Sequence, residues 1–364
     1  LDWKNSLKSN VTTAEELAAA LPLTTDQIDR MNVILPQFPM TIPRYYMSLI
    51  RLDDPDDPIR RMSIPSSEEN DMTGTFDSSG ESANTVLPGL QHKYSQTALI
   101  LSTHRCAMYC RHCFRKRLVG ISDDETADNI EEMAAYIRSH QEISNVLISG
   151  GDAFLNSNSA IEHYLEVLSD IDHLDLIRFG TRTPVVLPSR IYQDQQLLSI
   201  LKNYARKKTI YVVTQFNHPN ELTSESKKAI DSLLDAGIIV KNQTVLLRGV
   251  NDSGQTLGSL FKGLTRIGII PYYVFQCRPV SGVGNHFQVP LKEGYRIVEE
   301  AKQMQNGQGK CIRYVMSHVS GKIEILGFDE KNDMLFKYHQ AKSTDDQGRI
   351  FTKTLTDSQA WLEF

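Results

Sequence analysis

No apolar run in this chain is long enough to cross a bilayer as a helix, so no membrane partner is expected. Positive charge is also short. The formal net charge is -5 and the pI about 6.1, which gives no bulk attraction to nucleic acid. The opening residues, Leu1-Asp-Trp-Lys, lack the basic-then-apolar pattern of a secretory leader. Cysteine is scarce: five in 364 residues, three of them clustered, do not make a disulfide scaffold. What is there is a globular composition, 40% hydrophobic and 23% charged, long enough for a substantial core. It fits one large domain with extensions, or two domains.

The three clustered cysteines form Cys106-Ala-Met-Tyr-Cys110-Arg-His-Cys113, directly after the apolar run Ala98-Leu-Ile-Leu-Ser102. Thiolate sulfur is soft and anionic, and thiolates at short spacing suit iron or zinc. A four-iron cluster ordinarily takes four cysteines, so three leave one iron open to a small molecule. A zinc knuckle is the alternative, with His104 or His112 as fourth ligand. The C-x3-C-x2-C spacing resembles the radical S-adenosylmethionine (SAM) superfamily. That resemblance implies a [4Fe-4S] cluster on Cys106, Cys110 and Cys113, with SAM chelating the open iron. It also implies reductive cleavage of SAM to a 5′-deoxyadenosyl radical that removes hydrogen from substrate. An electron donor such as flavodoxin or ferredoxin is then needed. A reduced cluster points to the cytoplasm.

Along the chain, residues 1–50 read as short helices, with capping patterns at Thr12 or Thr13 and again at Leu23-Thr-Thr-Asp-Gln-Ile. Asp53-Asp-Pro-Asp-Asp-Pro is a turn-rich break. Residues 66–82 read as an extended polar loop whose acidic stretch is solvated surface. From Ala98 the pattern becomes regular. Strand-like runs at 98–103, 145–149, 175–182, 209–215, 238–245 and 269–276 alternate with helical segments near 125–140, 157–169, 191–206, 223–236, 254–267 and 291–305. Short continuous apolar strands separated by helices argue for an α/β fold with a parallel sheet. Six βα units are too few for a closed eight-strand barrel. An open partial barrel or a doubly wound sheet fits, and the superfamily resemblance selects the partial (β/α)6 barrel. The expected division is an N-terminal helical extension and loop at 1–95, the barrel at 96–306, and a small C-terminal cap at 307–364, β-rich or helical.

Polar residues gather where the strands end, the edge at which such folds carry chemistry. They are the cysteine triplet, Ser149-Gly-Gly-Asp152, Thr181-Arg-Thr-Pro184, Thr214-Gln-Phe-Asn-His218, Asn242-Gln243 with Arg248, and Gln276-Cys-Arg278. Gly150 and Gly151 allow close backbone approach to a ligand. By resemblance they meet the methionyl part of SAM, with Asp152 supporting it and His112 near the adenine. Gln215, His218 and Gln243 can donate to the SAM carboxylate or ribose. A tight turn at the glycines and a helix lead-in at His218-Pro219 are the structural alternatives.

A closer match then emerges. The stretches 110–117, 147–153, 181–188, 216–221 and 242–252, with Pro43-Arg-Tyr-Tyr-Met-Ser-Leu49 and Pro88-Gly-Leu-Gln-His-Lys-Tyr94 upstream, resemble the lysine 2,3-aminomutase family. The resemblance covers about residues 10–300. It implies an isomerase that uses SAM and pyridoxal 5′-phosphate (PLP) to move an amino group between adjacent carbons, with Arg115 on the substrate carboxylate. It allows a homo-oligomer. There are departures. Lys322, the candidate to carry PLP as an aldimine, follows Ser317-His-Val-Ser-Gly rather than a glycine-rich run. PLP-phosphate contacts near Tyr94 are weaker, with Lys93 for an arginine and Thr97 near another basic position. Arg278 stands where the lysine-specific family has an acid, and it would repel a distal ammonium but pair with a distal carboxylate. Ser253 replaces one cysteine of the family's zinc site and no cysteine follows Cys311, so zinc is not inferred. The expectation is an aminomutase for an acidic, glutamate-like amino acid rather than lysine. A PLP-independent radical SAM enzyme on another carboxylated substrate, or a non-catalytic iron-sulfur or zinc protein, are the alternatives.

Overall fold

The computed structural model describes residues 3–363. Five short helices come first: α1 (Trp3–Lys8), α2 (Ala14–Ala18), α3 (Thr25–Ile34), α4 (Arg44–Met47) and α5 (Pro58–Ser63). Thr13 caps α2 and Thr24 caps α3, each in a reciprocal box with the residue three on, Glu16 or Gln27. Strands β1 (Thr85–Leu87) and β2 (Leu90–Tyr94) then lead antiparallel into β3 (Thr97–Thr103).

From β3 the chain runs parallel through β4 (Asn145–Gly150), β5 (Leu176–Gly180), β6 (Thr209–Thr214), β7 (Ile239–Leu246) and β8 (Ile270–Gln276). These are the six expected strands. The connecting helices are α6 (Ile130–Ser139), α7 (Asn158–Ser169), α8 (Thr183–Val186), α9 (Ser189–Tyr192), α10 (Gln195–Tyr204), α11 (Ser224–Asp235), α12 (Gly254–Arg266), α13 (Gly284–Phe287) and α14 (Leu291–Gln303). The helix expected at 191–206 is split, because Asp194 accepts from the Leu197 amide at 3.0 Å and so caps a fresh start. Helix α14 leads into a further parallel strand, β9 (Arg313–His318), beside β8. Strands β10 (Gly321–Phe328), β11 (Met334–Ala341) and β12 (Ile350–Lys353) extend the same sheet antiparallel, so the C-terminal segment is β-rich. Among the described residues the twelve strands follow chain order and the sheet does not close: a partial barrel. Among the described residues, no helix is long and apolar enough to cross a membrane.

Alternation along the strands separates two faces. In β7, Val240, Asn242, Thr244 and Leu246 are buried, while Lys241, Gln243 and Val245 on the other face are only half-buried. In β4, Val146 and Ile148 are fully buried and join the core cluster that includes Ile161, Leu165 and Leu168 of α7. The half-buried face lines the inside of the barrel.

The acidic stretch at 66–82 is not solvated surface. Glu69 is 0% and Glu81 5% exposed, and each carboxylate holds two cations of the cysteine loop. Glu69 accepts from Arg111 Nε at 2.9 Å and from Lys116 Nζ at 2.6 Å. Glu81 accepts from Arg115 Nε at 2.9 Å and Nη2 at 2.8 Å, and from Arg117 Nη2 at 2.8 Å. Four basic residues packed into one buried loop repel one another, and these two carboxylates compensate them. Arg111 also donates to the carbonyls of Phe38 and Pro39, fastening the loop to the N-terminal segment.

Although burial pushes the other way, Arg115 and Arg117 pull the Glu81 carboxyl down from 4.5 to about 2. A depressed carboxyl contributes stability that is present above pH 4.5 and lost as pH falls toward 2, about 3 kcal/mol in all. In cluster-free protein, Glu81→Gln should therefore cost about 3–5 kcal/mol at pH 7 in denaturant unfolding. It should also flatten the loss of stability between pH 4.5 and 2. An unchanged pH slope would show that Glu81 does not carry this charge.

Candidate active site

The loop after β3 sets the three thiols at the C-terminal end of the sheet, all half-buried. Burial, with the neighbouring thiols and Asp152, pushes the Cys106 thiol well up, and burial with Cys110 pushes Cys113 up to about 11. Thiols that raise one another need a compensating positive charge to ionise together, and bound metal supplies it. Protein cations stand close by as well: Arg182 Nη1 lies 2.7 Å from Cys110 Sγ. Three soft donors facing fixed cations fit an anionic iron-sulfur cluster. His112 is engaged inside the protein. Its Nε2 accepts from Asn217 Nδ2 at 3.2 Å, and its ring is edge-on to Phe287. Its Nδ1 therefore bears the proton and is buried, with the Gln215 side chain beside the ring.

The Ser149-Gly-Gly-Asp152 turn braces this loop. A Cβ at Gly150, where φ is +115°, would meet the Thr103 carbonyl oxygen at 2.3 Å, and one at Gly151 would meet that of Arg105 at 2.3 Å. The Gly151 and Asp152 amides donate to those same carbonyls at 2.6 and 2.7 Å. Both glycines are thus required by backbone packing, and a bulky residue at either would disturb the loop itself. Asp152 accepts from the Phe154 amide, Thr181 Oγ1 and the Arg182 amide, tying the ends of β4 and β5 together.

The remaining expected residues divide into engaged and open. His218 caps the turn Pro219–Glu221 by accepting from the Asn220 amide, the lead-in role. Gln215 sits at the end of β6, its carbonyl taking Arg182 Nε at 3.1 Å. Gln243 faces the barrel interior beside Lys241. Tyr94 ends β2 with its hydroxyl buried and unpartnered, and burial raises it to about 12. Arg115 is engaged by Glu81, and its Nη1 donates to the Gly150 carbonyl at 3.2 Å. Arg278 shares the Phe114 ring with it: the two guanidinium carbons lie 4.0 Å (Arg278) and 4.6 Å (Arg115) from the ring centroid. Burial lowers Arg278 to about 10, and its Nη1 has no hydrogen-bond partner.

Lys322, on β10, is aimed inward. Its Nζ is 4.4 Å from the Tyr273 ring centroid and 5.7 Å from that of Phe275. Burial, with Arg178, Arg278 and Lys93 nearby, brings its amine down to about 7. Tyr273 is held in turn by His339 Nε2 at 2.7 Å. Neither Glu69, Glu81, Tyr273 nor His339 was legible as part of the site, since each reaches it from a distant stretch of chain.

The radical SAM superfamily profile matches residues 100–257. The chain is 39% identical to L-lysine 2,3-aminomutase of Clostridium subterminale, over 84% of this chain and 73% of that one. It is 34% identical to glutamate 2,3-aminomutase of Clostridioides difficile (strain 630), over 94% and 79%. It is 41% identical, over 88% and 85%, to an Aquifex aeolicus (strain VF5) protein provisionally named as an L-lysine 2,3-aminomutase. On these matches and the cysteine loop, the chain belongs to the lysine 2,3-aminomutase-like family of radical SAM enzymes, isomerases that work with a [4Fe-4S] cluster and SAM.

Proposed function

We propose that this enzyme moves the amino group of an acidic, glutamate-like amino acid from C2 to C3, with PLP on Lys322, and that lysine is a poor substrate. The observation that carries the substrate choice is Arg278. It is a half-buried cation whose Nη1 is buried and unpartnered, on the same ring as Arg115, and no carboxylate lies within 4.0 Å of it among the described residues. A distal ammonium there would face like charge in a water-poor interior, and a distal carboxylate would gain a charge-assisted pair.

When bound, the cluster with SAM supplies a hydrogen-abstracting radical and PLP supplies an electron-delocalising ring. The chain's own residues do the rest. Cys106, Cys110 and Cys113 hold the iron. Around SAM, the buried ring N–H of His112 with the Gln215 side chain beside it, and Gln243 on the half-buried face of β7, are the donors. Gly150 and Gly151 keep that wall flat, Asp152 ties the ends of β4 and β5, and His218 caps the turn after β6. Arg115 meets the substrate α-carboxylate in competition with Glu81, so Glu81 holds the guanidinium in place until substrate arrives. Lys322 lies over two rings of β8, Tyr273 and Phe275. An amine brought to about 7 is substantially neutral at physiological pH, as a nucleophile toward an aldehyde must be. Reduced flavodoxin or ferredoxin would deliver the electron. The boundaries near residues 95 and 306, a cytoplasmic location and a homo-oligomer belong to the same reading.

A PLP-independent enzyme is the second reading, favoured by one observation. Lys93, at a position expected to help hold the PLP phosphate, instead donates to the carbonyls of Ser79 and His318, at 3.3 and 2.5 Å.

Two experiments decide. Reduced enzyme with SAM and PLP should convert glutamate to its β-amino isomer and leave lysine almost untouched, and Arg278→Asp should reverse the order. Turnover of lysine alone, or a preference indifferent to Arg278→Asp, would refute the substrate assignment. Purified protein mixed with PLP should show a visible absorption band that borohydride removes and that Lys322→Ala never shows. The same band in Lys322→Ala would move PLP elsewhere, and no band in either protein would favour the second reading.

A further inference from the structure

On the rim opposite the cysteine loop, β2 and the connection from α6 to β4 bring His92, His140 and Glu142 together. One ligand atom from each lies within 4.8 Å of the other two. We propose that these three residues bind a divalent first-row transition-metal ion, zinc in the simplest case. The proposal is independent of the reaction assigned above.

Both imidazoles are set for it. His140 Nδ1 lies 2.8 Å from the Tyr136 carbonyl oxygen and 3.1 Å from Ser139 Oγ. A carbonyl only accepts, so Nδ1 carries the proton and Nε2 presents a lone pair. His92 Nε2 lies 3.1 Å from the Ser95 carbonyl oxygen, so it too carries the proton and leaves Nδ1 as the acceptor. An N–H of each ligand histidine held by a backbone carbonyl is the outer-sphere arrangement that orients metal-binding imidazole. The rings are also fixed in place. His140 stacks on Tyr136 at 3.9 Å between centroids, and His92 stands edge-on to both, 5.9 Å from Tyr136 and 5.7 Å from His140.

Glu142, exposed, supplies the negative charge. Two imidazoles and one carboxylate are a ligand set that zinc accepts, with water completing the tetrahedron at about 2.0–2.1 Å bond lengths. One group competes: the Tyr136 hydroxyl donates to His92 Nδ1 at 3.0 Å, and the metal must displace it. Bound metal would clamp β2 to the α6–β4 connection. Strand β2 carries Lys93 and Tyr94, so the clamp would fix one wall of the barrel interior from outside.

The test uses cluster-loaded protein washed with chelator, then dialysed anaerobically against zinc and measured for zinc and iron. The wild-type chain should retain about one zinc beyond its iron. His140→Ala and Glu142→Gln should each weaken zinc binding by at least about tenfold, with iron content and SAM cleavage unchanged. Tyr136→Phe, which removes the competing hydroxyl but keeps the stacked ring, should bind zinc more tightly than wild type. Zinc should raise the melting temperature of wild type and Tyr136→Phe only. Equal zinc retention in wild type and both ligand variants, or no retained zinc in the wild type, overturns the site.

Discussion

Two buried carboxylates, Glu69 and Glu81, hold the loop on which everything else in this molecule depends. Between Cys110 and Arg117 the chain places four basic residues, and the fold buries three of them almost completely. Positive charge near the thiols serves an anionic cluster, but the same charges in one small volume repel and lose their hydration. Neither carboxylate belongs to the loop. Both arrive from the 66–84 segment, which therefore works as a clasp closed over the cysteines. From the other side the loop rests on the glycine turn after β4, where backbone meets backbone too closely for any side chain.

The barrel interior continues the same electrostatic theme. Arg115, Arg278, Lys93 and Lys322 influence one another or a shared neighbour, and Glu81 is the chief acid among them. Burial first, and this gathering of cations second, bring Lys322 toward neutrality. It also attracts anions. An acidic amino acid and a phosphorylated cofactor are both anions of this kind.

How far the residues alone could be read follows from the range of the forces. The six parallel strands were legible because runs such as Ala98-Leu-Ile-Leu are satisfied only by burial on both sides, and the helices between them carry a 3.6-residue period. The thiols were legible from spacing within eight residues. The clasp was not: Glu69 pairs 42 and 47 residues away, and an acidic loop read locally looks solvated. Gly150 and Gly151 were legible as a close backbone approach, and each also packs against a carbonyl, of Thr103 and of Arg105. Alternation in Lys322-Ile-Glu-Ile shows a strand in retrospect. What aims Lys322 inward is its pairing register with β9 and β11, which no local pattern reveals.

If the clasp folds the loop in advance of iron, the loop must be ordered in cluster-free protein. Hydrogen exchange of the Arg111, Cys113 and Gly120 amides, which donate to the carbonyls of Met62, Cys110 and His104, measures this directly. The account predicts that these amides are protected without iron and lose that protection in Glu69→Gln. Exchange at unfolded-chain rates in the iron-free wild type, with protection appearing only once the cluster is built, would contradict it.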